Sequence, residues 1–158
     1  MSVTRRFLIP SVLLMFLAAV SIQRCSYLAK EPPLKELPEA YGMVDGRKIP
    51  LLRGGFTWRF PGGRLATTDA PAPDQMVENE PVHPVRPGAE MTLHFTKKDP
   101  HTIHASLWER SETLPSRDGK VTLPSEEGTY VLVIDAYWTE GHIQYAATIE
   151  VVTSPPVS

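Results

Sequence analysis

Among 158 residues there is a single cysteine, Cys25, so no disulfide can form within the chain. In an oxidising compartment the fold must then be held by its core alone. The same scarcity excludes a blue-copper centre, which needs a thiolate inside the domain. A Gly-x-Ser-x-Gly elbow and a His-Glu-x-x-His pair are missing, and the Ser, His and Asp residues fall into no recognisable hydrolase arrangement. The stretch "RGGFTWRFPGG" has glycines but neither a lysine nor a helix start behind them, so it is no phosphate cradle. Excess positive charge is absent as well. The net charge is −2, and it becomes −4 when residues 1 to 21, with two arginines and no acid, are set aside. Nucleic acid and an anionic membrane surface are poor partners for such a domain.

What is present begins with "MSVTRRFLIPSVLLMFLAAVSIQRC". Arg5 and Arg6 precede an uncharged, mostly apolar run from Phe7 to Gln23, the layout of a signal peptide or membrane anchor over residues 1–25. Ala19-Val20-Ser21 offers small residues for cleavage, while the run is close to the ~20 apolar residues that a retained spanning helix needs. Lipidation at Cys25 is a third fate, opposed by Arg24 just before it. In each case the arginines stay on the cytoplasmic side, so the remainder is expected to be extracytoplasmic, either secreted or anchored to the outer face of the membrane. Residues 26–40, with Pro32, Pro33 and Pro38, read as a linker.

Residues 41–153 read as one β domain, followed by a flexible tail at 154–158. Asp45-Gly46 supplies a two-residue hairpin turn within 41–52. In Phe56 to Phe60 the aromatic residues alternate with Thr57 and Arg59, which predicts a strand with one buried face. Residues 61–90 contain six prolines and predict a long loop with one helical turn at "PDQMVEN". Alternation returns in "EMTLHFT" and "TIHASLWE", and "RDGKVTLP" carries an Asp118-Gly119 turn. Tyr130, Leu132, Ile134, Ala136 and Trp138 share one face of a strand whose other face, with Val131 and Val133, is apolar too, as in the middle of a sheet. Its partner runs from Ile143 to Val151 after a turn at Glu140-Gly141. These elements predict an all-β, antiparallel, immunoglobulin-like β-sandwich. Trp58, Trp108, Trp138 and Tyr137 are expected to fill its core, with interface roles as the alternative.

"PSEEGTYVLVIDAYW" resembles the penultimate strand of immunoglobulin-like and fibronectin-like modules, where a tyrosine closes a corner by bonding backbone upstream. That role would fall to Tyr130. Over a longer span, "YGMVDGRKIPLLRGGFTW", "DAPAP", "VRPGAEMTLHF" and "EEGTYVLVIDAYW", in this order, are similar to a family of small exported or membrane-anchored proteins of Gram-positive bacteria. The resemblance implies export and a β domain, and it brings no catalytic residue.

Two classes of function fit this pattern. The first is a non-catalytic interaction module, needing no cofactor, that binds an envelope protein or cell-wall component through loop 61–90 and a sheet edge. The alternative is an envelope protein that binds copper or zinc through His94, His101, His104, His142 and Met91. "HTIH" has the look of a metal pair, yet positions three apart on a strand point to opposite faces, so His101 and His104 converge only if His101 lies in the turn before the strand. Asp135 stands out as a carboxylate after four apolar residues, and a strand-end or loop-bonded role is its simplest explanation.

Overall fold

A computed structural model describes residues 34–154, and eleven strands account for most of them. The expected leader, Cys25 and most of the linker lie outside the described residues. The last part of the expected linker belongs to the domain, because Leu37, Pro38 and Ala40 are buried. Fully buried Tyr145 donates its hydroxyl to the Pro38 carbonyl (2.8 Å), and burial raises the pKa of that phenol.

Strands β1 (Ala40–Val44) and β2 (Arg47–Arg59) form the expected hairpin, with Asp45 at φ 50° and Gly46 at φ 77° in the turn. The second half of β2 is the aromatic strand, so two segments that read as separate are one bent strand. On one side of Gly54-Gly55 the inward residues are Ile49 and Leu51; on the other they are Phe56 and Trp58. Opposite, Phe56 pairs with Ile143 and Arg53 with Tyr145, three steps on β2 against two on its partner. This bulge inserts the one residue that changes which parity faces the core, and it bends β2 from one partner to the next.

Beyond β2 the chain forms β3 (Leu65–Thr68), α1 (Pro73–Met76) and β4 (Val82–Val85). It continues through β5 (Glu90–Phe95), β6 (Thr102–Leu107), β7 (Glu112–Leu114), β8 (Ser116–Arg117) and β9 (Lys120–Thr122). The hairpin of β10 (Gly128–Trp138) and β11 (Gly141–Val151) completes the domain. Its turn is Thr139-Glu140, one residue earlier than expected, with Gly141 already paired to Trp138.

The strand order is β7-β6-β10-β11-β2-β1-β5-β9-β8, with β3 added beside β2 and β4 beside β11. Every pairing is antiparallel except β4 with β11. The ends of this order approach each other, since β7 runs into β8 and Ser116 donates to the Ile103 carbonyl of β6 (3.3 Å). The result is a near-barrel around a core that includes Met91, Leu132, Ile134, Trp138, Ile143 and Tyr145.

The stretch 61–90 is not the long loop its prolines predict, because β3, α1 and β4 lie within it. Pro84 is tolerated in β4 because that strand pairs on one side only. Its carbonyl accepts from Arg47 Nη2 (2.6 Å), and Arg86 forms an ion pair with Asp45. The helical turn α1 lies where "PDQMVEN" suggests, with proline at its first position and Asp74 in the first turn. Its role is to cover the second apolar face of β10. Val77 packs with Val131, Val133 and Ala146, and Met76 lies against them. Gly54 lies directly beneath this cover, since a Cβ at that position would fall 2.9 Å from the Met76 sulfur.

His83, beside Pro84, is partly buried, and that burial, aided by nearby Arg47, lowers its pKa from the ordinary 6.5. The fold therefore favours the neutral ring, and the stability it contributes is present above pH 6.5 and lost as pH falls through the depressed value. The melting temperature should drop on acidification from pH 7.5 toward 5, and His83→Gln should flatten that drop. Identical melting profiles for the two proteins across this range would refute the assignment.

Candidate functional site

The outer face formed by β6, β10, β11 and the second half of β2 divides in two. One half lies beneath α1, and the other half is open. Cross-strand register determines what the open half presents. Thr57 pairs with His142, His142 with Tyr137, and Tyr137 with Thr102, which forms one row across four strands. The next row contains Gln144, Asp135 and His104.

Rings and polar groups within these rows hold one another. Tyr137 stacks on His142, with centroids 4.6 Å apart and planes 28° from parallel. His104 meets Tyr137 edge-on at 5.7 Å. His142 Nε2 donates to Asp135 Oδ1 (3.0 Å), and Gln144 Nε2 donates to the same oxygen (3.2 Å). His101 occupies the bend before β6, and its Nδ1 donates to the Tyr137 carbonyl. The condition for His101 and His104 to converge is thus met: both line an open depression of about 520 Å³ with Thr57, Thr102, Tyr137 and His142. Trp138 and Gly141 complete its lining.

The five candidate metal ligands do not form one coordination sphere. Met91 is 0% exposed inside the barrel, and His94 of β5 stacks on Tyr41 of neighbouring β1, with centroids 4.9 Å apart. Among the described residues no group of three or more His, Cys, Asp or Glu side chains could hold a metal ion. Asp135, expected at a strand end or bonded to a loop, instead accepts from His142 and Gln144 of the neighbouring strand and supports the ring row. A carboxylate paired with an imidazole could in principle activate a nucleophile. The hydroxyls that line the depression belong to Thr57, Thr102 and Tyr137, with no serine or cysteine beside them.

A second cleft, of about 450 Å³, opens between β5, β6 and the Asp118-Gly119 turn. Its cations are occupied, with Lys120 on Glu90 (2.7 Å) and Arg117 on Asp118 (3.4 Å). Segment 61–90 covers the other half-face through Met76 and Val77.

The tryptophans separate. Trp58 and Trp138 are in the core, edge to face at 5.4 Å, and Trp138 Nε1 donates to the Lys98 carbonyl (2.7 Å). Trp108 is 43% exposed, which corrects the expectation that it fills the core. It follows Leu107 in strict alternation and so points outward. Tyr130 donates its hydroxyl to the Glu126 carbonyl, four residues upstream (3.1 Å).

Tyr137, expected in the core with an interface as the alternative, is the half-buried centre of the site, and the pairing of Asp135 with Gln144 and His142 is the element the sequence reading missed. A two-residue turn at Thr139-Glu140 sets Tyr137 opposite His142 and Asp135 opposite Gln144, so hairpin register was the available signal. Comparisons with protein-family models, curated proteins and solved structures found no match.

Proposed function

We propose that this protein is a non-catalytic binding module of the cell envelope, exposed outside the cytoplasmic membrane by residues 1–25. Its docking surface is the open half of the outer sheet face. The observation that carries this reading is the division of that face: α1 covers the aliphatic half, and the exposed half retains a row of rings fixed by hydrogen bonds. Rings and polar groups held in place before a partner arrives lose little freedom when it docks, which favours binding. In the immunoglobulin-like reading of the fold, Tyr130 closes the corner that leads into β10, supported by its bond to Glu126.

The test is co-sedimentation of the full-length chain with envelope material. Thr102→Arg places a long side chain in the depression at an exposed position, leaving the core untouched. Retention should fall at least about tenfold with an unchanged melting temperature, since a filled pocket loses its contacts while the fold does not. Equal retention of both proteins would rule out this face.

A further inference from the structure

The lining of the depression selects a class of ligand. No lysine, arginine, aspartate or glutamate lines it, so it has no fixed charge for a phosphate, a carboxylate or a cation. No leucine, isoleucine, valine or methionine lines it either, and it is open rather than enclosed. An apolar peptide side chain would find no hole to anchor in. What remains is a set of hydrogen-bonding groups, two threonine hydroxyls, a phenol and three imidazoles, set beside stacked rings. Sugar hydroxyls have the same dual character, and a pyranose has an apolar C–H face that suits an aromatic surface.

The neighbouring row adds a further acceptor. Both hydrogen bonds to Asp135 end on Oδ1, so Oδ2 accepts none from the described residues. Gln144 and His142 hold this carboxylate by its other oxygen.

We propose that the depression binds a pyranose unit of a neutral glycan, with its C–H face against the Tyr137–His142 pair and its hydroxyls on Thr57, Thr102 and His104. This rests on the docking face assigned above and names its ligand. Titration of the 15N-labelled full-length chain, in a mild detergent, with chitotetraose, cellotetraose and mannotetraose tests it. At least one of these should shift the resonances of Thr57, Thr102, His104, Tyr137 and His142 saturably. Thr102→Arg should weaken that response at least tenfold. Thr57→Val, which keeps the shape and loses a hydroxyl assigned to the sugar, should weaken it severalfold with an otherwise unaltered spectrum.

If none of the three sugars moves these residues, or if the response survives Thr102→Arg, the glycan assignment is overturned. Shifts of the same residues by wall-derived peptides, with none from the sugars, would replace it with peptide recognition. Envelope retention separates the two levels of the argument. A chain that still sediments through this face yet ignores the sugars keeps the docking surface and loses the glycan, whereas loss of both removes the face itself.

Discussion

Trp138→Ala lowers the unfolding free energy by about 3–5 kcal/mol, the range for removing a large aromatic from a packed core. The Trp138 ring is 4% exposed and meets Trp58 at 5.4 Å and Phe95 at 5.5 Å, both edge to face. Its loss also leaves the Lys98 carbonyl without the indole donor. Chemical denaturation of the full-length protein checks this. A loss below about 1 kcal/mol would mean that the three rings do not form one packed cluster.

The second large effect is Gly141→Ala. A Cβ at Gly141 would sit 1.9 Å from the Thr57 carbonyl oxygen and 2.9 Å from its carbon. Both atoms are backbone, so no rotamer change relieves the clash. The start of β11 must instead move away from β2, at a cost of about 3 kcal/mol or more. Gly42→Ala is the control. Its Cβ would meet the Met91 side chain, with the sulfur at 2.5 Å, and a thioether can shift. A cost of about 1–2 kcal/mol is expected there. Equal losses in the two variants would show that backbone and side-chain neighbours are not distinguished as argued.

Strands were legible wherever alternation ran unbroken. Ile143 to Val151 and Met91 to Phe95 could be read residue by residue, and Asp45-Gly46 and Asp118-Gly119 marked their turns directly. The continuity of β2 was hidden because Gly54-Gly55 reads as punctuation between elements, whereas here it is a bulge inside one. The prolines of 61–90 suppressed β3 and β4, short edge strands that tolerate what a central strand cannot. Trp108 was misread because composition outweighed its position in the alternation.

The site was half legible. His101 and His104 were conspicuous, and the hairpin register that brings His142 beside Tyr137 is local. The pairing of β6 with β10 is set by the whole fold, since residues 108–127 lie between the two strands, and only that pairing brings His104 to Tyr137. The shelter that α1 gives Val131 and Val133 is likewise a long-range outcome, and it is why one half of the face is left for other use.

Strand β11 has three partners, β10, β2 and β4, so it joins segments drawn from nearly the whole domain. No two of the earlier strands substitute for it, because β2 and β10 each pair with it and not with one another. A chain emerging from its N-terminal end, from a ribosome or a narrow pore, would therefore hold hairpins but no closed core until residues 141–151 are free. Joining β10 to β2 through β11 is a long-range step of folding, and the core closes only with it.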